Sequence, residues 1–150
     1  MRKGWEIKKL GDICDVRDGT HDSPKYQEKG YALITSKNLK NGEITYQNVN
    51  YISEEDYHNI NKRSKVDVGD ILFAMIGTIG NPVVIVEKPD YAIKNVALIK
   101  VGVLQNSSFF KYYLETKYVI EKMIKEAKGT TQKFVGLGYL RDFTIPIPHS

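Results

Sequence analysis

The 150-residue sequence predicts an α+β fold in a single domain, a twisted and mostly antiparallel β-sheet carrying a few helices. Three observations carry that prediction. Short β-branched or aromatic runs alternate with turn formers through the first hundred residues. One long stretch of helical periodicity follows Asn106. No internal repeat, low-complexity tract or flexible linker divides the chain, whose length suits one hydrophobic core.

The strands come first. Tyr31 to Thr35, Val49 to Ile52, Ile71 to Ile76, Val83 to Val86 and Val96 to Val101 are the apolar runs, separated by Asn41-Gly42, Gly69-Asp70, Gly80-Asn81-Pro82 and Pro89-Asp90. Ser53-Glu54-Glu55-Asp56 reads as a helix start, with the Ser53 hydroxyl capping the Asp56 amide and acids at the positive end of the dipole; the helix runs through about Ile60. After Asn106, Ser107 or Ser108 serves as a cap. Phe109, Tyr113, Thr116, Ile120, Met123 and Ala127 then recur at steps of three and four, the buried face of a helix that Gly129 ends. Lys111 with Glu115, Glu121 with Lys125 and Lys122 with Glu126 are ion pairs at i,i+4 on its outer side. An apolar run from Tyr139 to Ile147 closes the chain.

Charge and composition exclude several classes. The net charge is +4, and it is unevenly placed: residues 1–75 hold 12 basic and 12 acidic side chains, residues 76–150 hold 10 and 6. An anion-facing surface therefore draws on the second half. A single cysteine, Cys14, permits neither an internal disulfide nor a thiolate zinc cluster, which fits a reducing cytoplasm. The longest apolar stretches fall far short of the ~20 residues of a membrane helix. His21, His58 and His149 lack metal-ligand spacing, and Gly77-Thr78-Ile79-Gly80 and Gly136-Leu137-Gly138 lack the strand, loop and helix context of a phosphate cradle. Asn81-Pro82 is followed by Val83 and Val84 rather than an aromatic, against methyl transfer; no acid stands two residues before Lys94, against a nuclease centre. No catalytic residue, metal or cofactor is expected.

What remains suits nucleic acid. Gly19 to Tyr26 gathers hydroxyls, an imidazole, a cation and an aromatic; Thr35 to Gly42 holds two lysines, two asparagines and two hydroxyls; Lys128 to Lys133 lies in a window without acids between Glu126 and Asp142. Such groups donate to phosphates and base edges.

Taken in order, these stretches resemble a known family. Trp5, Leu10-Gly11-Asp12-Ile13, Arg17-Asp18-Gly19-Thr20-His21-Asp22-Ser23-Pro24, and Leu33-Ile34-Thr35-Ser36-Lys37-Asn38-Leu39 are similar to the target-recognition domain of type I restriction-modification specificity subunits. The resemblance continues through Tyr51-Ile52-Ser53, Arg63-Ser64, Gly69-Asp70-Ile71-Leu72, Ile76 to Gly80, Gly129-Thr130-Thr131-Gln132 and Ile145-Pro146-Ile147-Pro148, covering essentially the whole chain.

The resemblance implies a non-catalytic reader of double-stranded DNA, recognising one half of a bipartite target for methyltransferase (M) and restriction (R) subunits. Residues 1–150 would be one recognition domain, without the spacer helix and second recognition domain of a complete specificity subunit; a second domain or a second copy becomes an expected partner. The residues implied for base contact are Thr20, His21, Ser36, Asn38, Thr131 and Gln132; those for phosphate contact are Lys25, Lys37, Lys40, Lys128 and Lys133, and Thr78 and Thr130 are implied to lie close to the DNA. The rival expectation is an interaction or decoy module that occupies a methyltransferase subunit without reading DNA. Salt-dependent DNA binding separates the two.

Overall fold

A computed structural model describes residues 4–102 and 106–148. His149 lies outside the described residues. The apolar run at Ile71 to Ile76 explains the architecture. It forms β7 (Ile71–Ala74) at the inside of a four-stranded sheet of order β2 (Cys14–Asp18), β10 (Val96–Val101), β7, β8 (Gly80–Val84). Every residue of β7 is buried, because both faces of this sheet are covered; hence a continuous apolar run rather than alternation.

On one face Ile71, Phe73, Met75, Ala97 and Ile99 pack against the helices α3 (Ser107–Leu114), α4 (Lys117–Glu126) and α5 (Leu137–Asp142), through Phe110, Leu114, Val119, Met123 and Leu140. On the other, Leu72, Ala74, Val96 and Leu98 meet Ile34 and Ile93 of a second sheet. That sheet has the order β6 (Asn50–Ile52), β3 (Tyr31–Ile34), β9 (Tyr91–Ile93). All strand pairs are antiparallel except β3 with β9. The α+β class is as expected, but the strands divide among two stacked sheets and two small pairs rather than one sheet.

The small pairs complete the fold. β1 (Trp5–Lys9) runs antiparallel to β11 (Thr144–Pro148), joining the two ends of the described chain and leading into the single turn α1 (Leu10–Ile13). β4 (Leu39–Lys40) and β5 (Glu43–Ile44) form a hairpin across Asn41-Gly42, where φ is +51° and +78°, as a two-residue primed turn requires. α2 (Glu54–Ser64) starts as expected, with Ser53 accepting from the Asp56 amide at 3.1 Å, and runs one turn further than Ile60.

The expected helix after Asn106 is two helices. Asn106 itself caps α3 through the Phe109 amide at 3.1 Å, in place of Ser107 or Ser108. Thr116, expected on the buried face, is exposed and starts α4: its hydroxyl donates to the Tyr113 carbonyl at 2.8 Å and accepts from the Val119 amide at 3.4 Å. A threonine that satisfies backbone groups in this way competes with helix continuation. The apolar face restarts there, so Phe110, Leu114, Val119 and Met123 carry the burial, while Phe109 and Tyr113 are half-buried. The pairs Lys111–Glu115 and Lys122–Glu126 form, at 2.9 and 3.3 Å, but Glu121 pairs back with Lys117 at 3.7 Å rather than with Lys125.

Candidate nucleic-acid interface

The strand registers bring the polar loops together. Asp18 at the end of β2 pairs with Ala97, Ala74 at the end of β7 pairs with Val96, and Gly80 at the start of β8 pairs with Ala74. In the second sheet the ends of β3 and β9 lie side by side, Ile34 with Ile93, and the Lys94 amide donates to the Ile34 carbonyl at 2.9 Å. The segments after Asp18, after Ile34, after Ala74 and after Ile93 therefore leave both sheets at the same end.

A fifth loop joins them from far along the chain. Lys128 and Phe134 exchange backbone hydrogen bonds of 3.0 and 2.9 Å, closing Gly129 to Lys133 into a tip. The Gly77 amide donates to the Lys133 carbonyl at 2.8 Å and the Val135 amide to Met75 at 3.0 Å, which seats the tip beside the β7–β8 turn. Gly129 has φ +95°, and a Cβ there would stand 2.3 Å from the Gln132 carbonyl; only glycine permits so tight a tip. Lys128, Thr130, Thr131, Gln132 and Lys133 are all exposed on it, and Thr78 is exposed on the neighbouring turn.

The Gly19 loop is clamped at its base. The His21 ring places Nε2 2.8 Å from an Asp18 carboxylate oxygen and Nδ1 2.6 Å from Asn95 Oδ1, with the ring still more than half exposed. Asp18 is buried, and its other oxygen accepts from the Arg63 guanidinium, which answers the cost of enclosing a charge. Thr20, half-buried, accepts from the Asp22 amide at 3.1 Å in a hydroxyl turn, and its backbone bridges to Lys94 and Asn95. Lys94 reaches Ser23 at 2.9 Å. Lys25 is exposed on the stretch leading to the Gln27–Tyr51 bridge.

Two expected base readers are placed otherwise. Ser36 is 4% exposed; its hydroxyl donates to the Asn95 carbonyl at 2.9 Å and accepts from the Met75 amide at 3.0 Å. Asn38 is 1% exposed; it accepts from the Thr35 amide at 2.9 Å and donates to the Thr45 carbonyl at 2.9 Å. As folded, these side chains spend their polar groups on backbone and hold the loops in register. Lys37 between them is exposed. Lys40 stands apart, on the β4–β5 hairpin opposite Glu43.

Sequence reasoning missed Asn95, Lys94, Arg63 and the role of Asp18. Lys94-Asn95 is the polar link between two apolar runs, and Asn95 takes φ +54°, a conformation asparagine tolerates; that turn was the available signal. Arg63 was visible as part of Arg63-Ser64, but its pairing with Asp18 across 45 residues left no local signal.

The end of the sheets thus presents hydroxyls, an imidazole, an amide and the exposed cations Lys25, Lys37, Lys128 and Lys133, with Lys94 half-buried and bonded to Ser23. It can bind an anionic backbone and hydrogen-bond to base edges. Among the described residues no group of three or more His, Cys, Asp or Glu side chains is placed to hold a metal, and no helix is long and apolar enough to cross a membrane.

Polar and basic loops thus project from one end of two stacked sheets, and comparison with known proteins gives the family. Residues 2–150 match the type I restriction modification DNA specificity domain, and the chain belongs to that family. It is 25% identical over 154 aligned residues to the type I restriction enzyme MjaIX specificity subunit of Methanocaldococcus jannaschii, covering 97% of this chain and 34% of that protein. The chain spans about a third of the length of the relatives it matches.

Solved structures share the fold. The HsdS subunit from Thermoanaerobacter tengcongensis superposes with a TM-score of 0.67 at 17% identity, over 99% of this chain and 34% of that one. The type I restriction-modification S subunit from M. genitalium gives 0.61 at 15%, over 96% and 34%. A structure described as the basis of complex assembly and conformational transition of the type I R-M system gives 0.70 at 17%, over 99% and 35%.

Proposed function

We propose that residues 1–150 form one recognition domain of a type I specificity subunit, reading one half of a bipartite double-stranded DNA target. Methyl transfer and cleavage then belong to the M and R subunits of the complex, in the cytoplasm where the chromosome lies. This chain contributes the address and no catalytic group. A second recognition domain and the spacer helices are supplied from outside these residues or by a second copy.

The observation that carries the reading is the convergence of five loops from separate parts of the chain on one end of two stacked sheets, with their cations outward. Thr78, Thr130, Thr131, Gln132 and His21, with Thr20 at the base of its loop, face the base edges, while Lys25, Lys37, Lys94, Lys128 and Lys133 hold phosphates. Ser36 and Asn38 serve as scaffold beneath them, and Lys40 lies to the side. The family match and the shared fold support this reading.

Methylation-site mapping tests it. In cells carrying this domain within a full specificity subunit, one half of the modified sequence changes when the domain is exchanged for another and the other half stays. An unchanged modified sequence refutes the reading.

A further inference from the structure

A second basic surface lies on the flank of the domain, outside every loop considered above. A cleft of about 580 Å³ is lined by Asp15, Arg17, Lys62, Arg63, Leu137 and Arg141. Four cations face one exposed carboxylate there. Lys62 and Arg63 close α2 and Arg141 lies in the last turn of α5, where a cation complements the negative end of the helix dipole, but Arg17 comes from β2 and has no such duty.

The guanidinium groups are held before any ligand arrives. Arg17 grips Asp15 with Nε at 3.1 Å and a terminal nitrogen at 2.6 Å, and its other terminal nitrogen donates to the Arg63 carbonyl at 3.1 Å. This pairing holds the Asp15 carboxyl below the usual carboxylate range, so it stays charged and keeps Arg17 in place. Arg141 donates from Nε to the Val16 carbonyl at 3.0 Å, which leaves its terminal nitrogens for an incoming group. Lys62 is exposed, and among the described residues it makes no ion pair. Planar donors fixed in advance suit a phosphodiester oxygen and spare the entropy of ordering them.

The cleft also adjoins the reading end. Arg63 binds Asp18, and Asp18 holds the His21 ring, so one guanidinium and one carboxylate separate the cleft from the Gly19 loop. We infer that this cleft binds a backbone phosphate of the same DNA duplex, flanking the stretch whose bases the loops read. The inference rests on the DNA-reading proposal and extends its footprint down the edge strand β2. A duplex held at this flank gains affinity without gaining sequence preference, since phosphates carry no base information.

Lys62→Ala and Arg141→Gln test it in the 150-residue chain. The first removes an exposed side chain that no fold contact needs; the second removes the charge and keeps a donor near Val16. Binding to a duplex is followed by fluorescence anisotropy from low to physiological salt. Each variant is expected to weaken binding to target and unrelated duplexes by the same factor, and to reduce the slope of log affinity against log salt by about 0.9 per lost phosphate contact.

If the parent binds DNA and both variants match it in affinity and slope, the cleft assignment is overturned while the DNA-reading proposal stands. If the parent shows no salt-dependent DNA binding, both fall together. If labelled polyglutamate binds the parent but not Lys62→Ala, while duplex binding is the same in both, the cleft is an acidic-partner site and the phosphate assignment is overturned.

Discussion

The hydroxyl of Ser36 donates to the backbone carbonyl of Asn95 at 2.9 Å, a contact made across 59 residues of chain. The same oxygen accepts from the Met75 amide at 3.0 Å. One small side chain therefore ties together the turn that orients His21 and the turn that carries Thr78. Buried polar pins of this kind tie the loops at this end of the sheets to one another.

Removing that pin has a definite cost. Ser36→Ala leaves the buried Met75 amide and one acceptor site at Asn95 without a partner, a loss of about 1–3 kcal/mol. Urea denaturation monitored by far-UV circular dichroism should show a lowered midpoint with an unchanged slope. Lys37→Ala, one residue away and exposed, should leave the midpoint in place while weakening DNA binding.

The two kinds of contact on the 128–133 tip separate by their salt behaviour. Lys133→Ala is expected to weaken binding to every duplex alike and to reduce the salt slope by about 1. A titration against matched and mismatched duplexes at several salt concentrations checks this. A change confined to one sequence would assign Lys133 to base reading instead.

Backbone geometry supplies a paired test. Gly129→Ala puts a methyl group 2.3 Å from the Gln132 carbonyl at φ +95°, so the tip must open. More than about 1 kcal/mol of stability should be lost, together with DNA binding. Gly138→Ala, inside α5 with nothing within 4 Å of the added carbon, should instead gain about 0.5–1 kcal/mol. Thermal melts of the two variants are expected to move in opposite directions.

Cys14, at the far end of β2 from Asp18, reports on the core beneath the helices. It is buried, and burial pushes its thiol from 9.0 up to about 11. A raised folded value means that the thiol stabilises the fold fully below pH 9.0 and that this contribution is lost as pH rises toward 11. At pH 8 the folded protein should hold about 100-fold less thiolate than the denatured chain, the consequence of a two-unit shift. Iodoacetamide labelling followed by mass spectrometry should accordingly track unfolding; rapid labelling of native protein would contradict the buried placement.

Much of the fold was legible in the chain, for reasons that particular elements make plain. β7 and the first four residues of β10 are apolar on both faces, so their sequences stand out without any alternation, and Ser53 marks the start of α2 through a hydroxyl with one evident use. β1 and β11 were not legible: Glu6, Lys8 and Lys9 dilute one strand and two prolines interrupt the other, and only their mutual pairing makes them strands. Gly136 precedes α5 and offers no side-chain cap, so the run Tyr139 to Ile147 concealed a helix end and a strand.

The candidate site divides along the same line. The loops at Gly19, Gly77 and Gly129 were visible as concentrations of glycine and polar side chains. Ser36 and Asn38 were visible too, but a polar turn residue reads the same whether it faces water or the backbone beneath it; burial alone distinguishes them. The clamp of His21 by Asn95 spans 74 residues, and the charge pair of Asp18 with Arg63 spans 45, distances at which no local pattern speaks.

Selection of duplexes from a random pool with the parent domain and with Gln132→Ala shows whether the 128–133 tip and its neighbouring loops read base sequence. The parent should enrich a short defined sequence. The variant should enrich the same sequence with preference relaxed at one position, equivalent to about 1–3 kcal/mol there. Identical selected sequences for both, or no enrichment by the parent, would contradict the account.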